Sequence, residues 1–415
     1  MHDSITARKY FASAVLADGR FVVAGGEYSD ASGSTSQDDT NRCEIYDPVA
    51  DFWTAIASPP ISQVGDAACC MLANGKLLIG DLNSPQTFTL DPSTLTWSTA
   101  GAGGQKAVRA SEESWTMMGD GTVVTAECVN APKAEKYDPA TDRWVTAGQL
   151  VANIVETSSL EIGAGVLLPD GRAFFVGANS GRTALYTSGQ TPAAPGTWSA
   201  GPNIPSTRIG QARGAKDGPA ALEPGGKVLF PAAPLDGVSG NYLPPCTFYE
   251  FDGANLAPVT NAPNSVCPTY VGRLLVIPTG EILWSREDDR HMYLFRSSDS
   301  PDNGWRPVIT AVPATLARGT TVTITGAQFN GLSHASAYGD DHTPATNYPI
   351  VRIRNQKTGR VHYCRTANHS TMGVATGATT VSTQVTISLA ADTGPSTLFV
   401  VANGIESEGA SVNVV

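Results

Sequence analysis

The sequence is poor in charge, in histidine and in long apolar runs, and each scarcity excludes something. Charged residues make up 16% of the 415. What charge there is leans acidic: the net charge is −11 and the isoelectric point about 5.0. Such a surface repels a phosphate backbone, which argues against a nucleic-acid partner. No run of 18 apolar residues occurs, so no membrane-spanning helix is expected. The start, Met1-His2-Asp3-Ser4, lacks a basic segment followed by an apolar one and does not read as a secretory leader. The chain is therefore read as cytosolic, or as one whose leader lies outside this sequence. No C-x-x-C, G-x-S-x-G or P-loop is present, and none of the six histidines is paired at zincin spacing. The seven cysteines leave one thiol outside any intramolecular pairing; most read as small buried hydrophobes.

What is abundant is glycine (42) and proline (28), set among short apolar runs. That composition points to many short strands joined by tight turns. A strand–turn–strand unit recurs, its turns carrying Gly19, Gly75, Gly121, Gly171, Gly226 and Gly280, several preceded by Asp or Asn. Asp-Gly and Asn-Gly are strong hairpin signals because both positions adopt positive φ. The spacing, about 45 to 55 residues, is that of propeller blades. Each turn is followed by an apolar strand such as Phe21 to Ala24 or Phe174 to Val176. A third strand carries Tyr46, Phe88, Tyr137, Tyr186, Tyr249 or Tyr293, and an outer strand opens on Trp53, Trp97, Trp144 or Trp198. The pattern predicts an all-β, kelch-type β-propeller over 1–300, with six visible blades of four strands; either the ring has six, or a seventh precedes Met1. A Ser/Asp/Pro-rich linker follows at Ser297 to Asn303, and alternating strands from Arg306 predict an immunoglobulin-like β-sandwich over 305–415.

The first residues of each innermost strand lie at the mouth of the central channel. Nine residues before the turn glycines stand Tyr10, Asp66, Glu112, Ile162, Asp217 and Val271, with Glu161 and Tyr270 alongside. Asp66, Glu112, Glu161 and Asp217 are expected to converge there. Converging carboxylates hold a cation such as calcium, share a proton as a general acid–base pair, or bond sugar hydroxyls. The alternative is that they serve buried backbone groups or pair with Arg8, Lys216 and Arg273. His342 sits in the polar loop Tyr338-Gly339-Asp340-Asp341-His342-Thr343-Pro344 and is expected to reach the channel axis near Tyr10 and Tyr270.

The layout resembles galactose oxidase and glyoxal oxidase, the copper radical oxidases. Three segments carry the likeness. Arg8-Lys9-Tyr10-Phe11-Ala12-Ser13-Ala14, ahead of Asp18-Gly19-Arg20, is similar to the segment of the family's radical tyrosine. Tyr270 stands where the axial copper tyrosine is found, and Tyr338-Gly339 with His342 is similar to the loop bearing a copper histidine. The resemblance implies an E-set sandwich after the propeller and an extracytoplasmic, secreted or cell-surface protein. It also implies that Tyr10, Arg8, Tyr270, Arg273 and His342 face the ligand, with Tyr10, Tyr270 and His342 as weak metal candidates. Two departures argue against copper. Val271 occupies the place of a copper histidine, and the family's thioether cysteine lies in a blade preceding the position of Met1. One histidine and two tyrosines make a poor copper(II) site. Three functions follow: a propeller binding a glycan or protein partner, an enzyme using the channel carboxylates on a polar or sugar-like substrate, or a degenerate copper oxidase.

Overall fold

The computed structural model describes residues 2–29, 38–66, 68–236, 243–334 and 348–415, with only the backbone of 336–338 and 341–343 between the last two. The architecture is almost wholly β. Four-stranded antiparallel blades are built from Ala12–Val15, Phe21–Ala24, Cys43–Asp47 and Phe52–Ile56 (blade 1), then from Cys69–Met71, Leu77–Gly80, Thr87–Asp91 and Thr96–Ala100 (blade 2). Blade 3 runs from Thr116–Met117 to Arg143–Gln149, and blade 4 from Gly165–Leu167 to Thr197–Ala200. In blade 5 the innermost strand is broken into Arg213–Gly214 and Ala221–Leu222. The expectation of four strands throughout fails at blade 6. Among the described residues it has three: Gly272–Val276, Ile282–Arg286 and Tyr293–Phe295. After Phe295 the chain enters the Ser/Asp/Pro-rich stretch, which supplies no apolar outer strand.

Alternate residues of each strand face opposite neighbours, as the pleat requires. Cys69 and Met71 pack toward blade 1, while Cys70 and Leu72 pack toward blade 3. Phe174 and Val176 join the core shared with blade 5, whereas Ala173 and Phe175 join that shared with blade 3. Blades 5 and 6 share Phe248, Leu274 and Trp284. The seam between blades 6 and 1 differs. A small cluster of Val23, Tyr46 and Trp53 lies on the blade 1 side, Leu275 and Leu294 of blade 6 stay 38% and 48% exposed, and Lys9 reaches Glu287 at 3.6 Å.

The outer-strand tryptophans stitch blades 1 to 4 to what precedes each of them. The indole N–H of Trp97 donates to the Ala57 carbonyl (2.8 Å), that of Trp144 to Thr87 Oγ1 (3.1 Å) and that of Trp198 to the Ala147 carbonyl (3.0 Å). Trp53 reaches back to the His2 carbonyl. Blades 1 and 3 add a second device, in which the Tyr46 and Tyr137 hydroxyls donate to Asp51 and Asp142 at the ends of their Asp-Pro turns.

The C-terminal residues form one nine-stranded sheet, from Val308–Ala311 through Thr321–Ala327 and Val381–Thr386 to Gly394–Ala402 and Ala410–Val414. It curls on itself around Leu316, Ile324, Val351, Val385, Leu398 and Val400. This region sits on the turn end of the blades: the His369 and Met372 amides donate to the Ala17 and Ala73 carbonyls. At blade 6, Gly404 (φ +70°) lies so close to Gly280 that a Cβ would come within 2.6 Å of its Cα. The turn end is thus covered, and the innermost strands begin at the opposite, open end.

Two outcomes test this framework. Trp198→Phe keeps an aromatic ring but loses the donated hydrogen bond and part of the buried indole, so it should cost about 1–3 kcal/mol, whereas Trp198→Ala should cost about 3–5 kcal/mol. Lys106 is buried between Glu113 (2.9 Å) and Glu135 (3.1 Å). Lys106→Met strands two buried carboxylates and should cost about 3–5 kcal/mol. Urea midpoints of the three variants check both.

Candidate functional site

At the open end, the residue nine before the turn glycine is held in an unusual backbone conformation in three blades. Tyr10, Asp66 and Asp217 have φ of 50°, 41° and 50°. Left-handed φ is uncommon outside glycine and turns the chain sharply. In blade 5, Asp217 occupies the break between the two halves of the innermost strand. Its amide donates to the Ile162 carbonyl of blade 4, which draws blade 5 toward Glu161.

The structure gathers three of the four expected carboxylates. Glu112, Glu161 and Asp217, from blades 3, 4 and 5, have oxygens within 4.8 Å of one another. Asp217 is 8% exposed; the other two are half-buried. Glu161 is answered by the Lys216 ammonium at 2.5 Å and by the Ser159 hydroxyl at 2.9 Å. The fourth, Asp66, belongs to a second group with Glu27 and Asp39. Glu27 is pushed up to about 9 by burial, by a hydrogen bond with Asp66 and by the charges of Asp66 and Asp39. Glu27 therefore holds its proton beside Asp66, as one of two neighbouring carboxyls does when both cannot carry charge.

Tyrosines border this second group. Tyr10 meets Tyr28 edge-on, with ring centroids 5.9 Å apart. The Tyr28 phenol is pushed up by burial, then by Glu27, Asp66, Asp39 and Tyr270. Tyr270 lies on the short helical turn Thr269–Val271 and is 41% exposed. Arg273 braces that turn by donating to the Tyr270 and Gly272 carbonyls (2.6 and 2.7 Å). Arg8 is turned into its blade instead. Its guanidinium donates to Glu44 and to the Gly25 and Arg42 carbonyls, and its side chain is 3% exposed.

The backbone around His342 forms a hairpin, Ser336–Tyr338 with Asp341–Thr343. Its first strand adds to the innermost strand of blade 4, Ala337 opposite Gly165, and its second lies beside Ala12–Val15 and Gly272–Val276. The hairpin thus enters the channel from the covered end. The His342 side chain lies outside the described residues.

Sequence reasoning missed Glu27, Asp39 and Tyr28, because register was counted only from the innermost strand. A signal was present. The second strand ends where the first begins, so residues just past it share the mouth. Gly25 and Gly26, at φ +74° and +133°, turn the chain there; a Cβ on Gly25 would stand 1.7 Å from the Val64 carbonyl oxygen. Glu127, just past the second strand of blade 3, is likewise pushed up to about 7 by burial and Glu135.

No family profile matches the chain. Over 121 residues, 28% of its length, it is 31% identical to kelch domain-containing protein 7A of Mus musculus, and it spans only 15% of that protein. Among solved structures it is similar to a fungal alcohol oxidase of the AA5 family in complex with copper. The TM-score is 0.53 at 16% identity, over 98% of this chain and 85% of that one, a likeness of fold. The structure of YjhT shares 12% identity over 71% of this chain and 99% of that one, with a TM-score of 0.48. The repeat pattern, the six blades and the fold shared with the AA5 oxidase describe a β-propeller with kelch-like repeats that resembles galactose oxidase in fold.

Proposed function

We propose that the protein binds a glycan at the open end of its channel, bridged by a calcium ion seated among Glu112, Glu161 and Asp217. The observation that carries this reading is the convergence of those three carboxylates from three consecutive blades. Lys216 pairs with Glu161, and a divalent cation would answer the repulsion among the three carboxylates. The donors are all hard oxygens, suited to calcium; copper(II) favours nitrogen, and Val271 offers no donor atom. Calcium takes six to eight oxygens, so three carboxylates leave positions open for neighbouring sugar hydroxyls. Tyr10, Tyr28 and the exposed Tyr270 supply apolar ring faces around the second carboxylate group, at the same end of the channel. The weak calcium affinity typical of extracellular modules suits a secreted or cell-surface setting.

A glycan array read with and without a calcium chelator tests this. Binding should vanish on chelation and fall at least tenfold in Glu112→Gln and Asp217→Asn; asparagine tolerates the left-handed backbone at 217. Binding that ignores both chelation and these substitutions, or no binding at all, overturns the reading.

A second reading, acid–base chemistry on a polar substrate, is favoured by the Glu27–Asp66 pair, since a proton donor and an acceptor stand together at the mouth. The pair has a pH signature. Glu27 is protonated in the folded protein up to about 9, against 4.5 ordinarily. Folding then takes up a proton between those limits, so the stability it contributes is complete below the lower value and is lost as pH rises through the upper. Wild-type melting temperature should therefore fall more steeply from pH 5 to 9 than that of Glu27→Gln. Parallel slopes would show that Glu27 is not held protonated.

A further inference from the structure

We propose that Cys246 and Cys267 form a disulfide that ties blade 5 to the segment opening blade 6. Cys246 directly precedes the third strand of blade 5, Thr247–Phe251, and Cys267 stands just ahead of the helical turn Thr269–Val271. Their sulfurs are 4.0 Å apart and both residues are buried. The Cys246 thiol donates to the Cys267 carbonyl at 2.9 Å, and the Cys246 and Cys267 amides both donate to the Ser265 carbonyl, which holds the two backbones side by side. The two sulfurs must approach by about 2 Å to reach the bonded distance of about 2.05 Å.

The surroundings divide the chemical roles. The Cys246 thiol, hydrogen-bonded to its neighbour, and the Arg286 guanidinium bring Cys267 down to about 7, while the same thiol pair and burial push Cys246 up. Cys267 is thus the thiolate and attacking sulfur. With oxidised glutathione as the oxidant, the Cys267 thiolate attacks one glutathione sulfur and expels the other as thiolate, leaving a mixed disulfide. Cys246 gives up its proton and attacks the Cys267 sulfur, expelling the second glutathione. Two protein thiols are oxidised and one glutathione disulfide is reduced to two thiols.

The bond would act on the channel mouth. Two residues past Cys267, the Thr269 hydroxyl donates to the Lys216 carbonyl, and Lys216 carries the ion pair to Glu161. Tyr270 is the next residue. A cross-link at Cys267 therefore stiffens the segment that presents Tyr270 and props Lys216, whichever ligand the mouth takes.

The test uses the full chain, equilibrated in a glutathione redox buffer with sub-denaturing urea so that buried sulfurs exchange, then alkylated, digested and weighed. The expected result is a peptide pair joined through Cys246 and Cys267, two fewer alkylated thiols than in reduced protein, and a melting temperature higher by about 5 °C. Alkylation of all seven thiols, or Cys246 joined to a different cysteine, overturns the proposal. The Cys246→Ser/Cys267→Ser variant should melt at one temperature in both redox states; a rise on oxidation would place the stabilising bond elsewhere and overturn the proposal too.

Discussion

Everything in this fold depends on the fact that a four-stranded blade has two apolar faces and can bury neither alone. Strands such as Leu77–Gly80 and Ala173–Val176 are buried at every position, so each needs a neighbour on both sides. A ring supplies neighbours and protects strand edges at once. The tryptophan bonds from the outer strands of blades 2, 3 and 4 reach back to the preceding blade, and the buried Lys106–Glu113–Glu135 and Arg8–Glu44 groups tie the segments leading into blades 3 and 1 to their own blades.

The ring also dictates where chemistry is placed. Strand faces are consumed by blade contacts, and the C-terminal sheet covers the turn end, so polar groups collect where innermost strands begin. There the backbone breaks its own rules, with left-handed residues in blades 1, 2 and 5. Radial strands bring carboxylates from different blades within a few ångströms, at a cost in repulsion. The protein relieves it in two ways: Lys216 answers Glu161, and Glu27 keeps its proton beside Asp66. The segment Cys267–Tyr270 joins this region to the buried sulfur pair, so the mouth is braced from the side as well as from below.

Much of this was legible in the sequence. Turn glycines gave the blade period, and the Asp-Pro and tryptophan positions gave the outer strands, because local turn chemistry and strand alternation are written in consecutive residues. The register count placed Glu112, Glu161 and Asp217 together for the same reason. Asp66 stands at the same end but outside that cluster, beside Glu27 and Asp39, which arrive on a different connection, after a double-glycine turn that only the three-dimensional path relates to the channel. Arg8 illustrates the same limit: its partner Glu44 is 36 residues away, and nothing local announces that a basic residue in the first segment is spent inside the blade. The short blade 6 was hidden because Tyr293 opens a genuine third strand, as in the other blades, while the described residues after Phe295 supply no outer one.

The central claim is that the three-carboxylate cluster is a cation site, and an anomalous-scattering experiment on crystals soaked with terbium, a calcium substitute, addresses it most directly. The account predicts one strong peak lying about 2.3–2.6 Å from oxygens of Glu112, Glu161 and Asp217 and absent in Asp217→Asn. A map with no peak there, or with the ion bound by Glu27 and Asp66 instead, would contradict it.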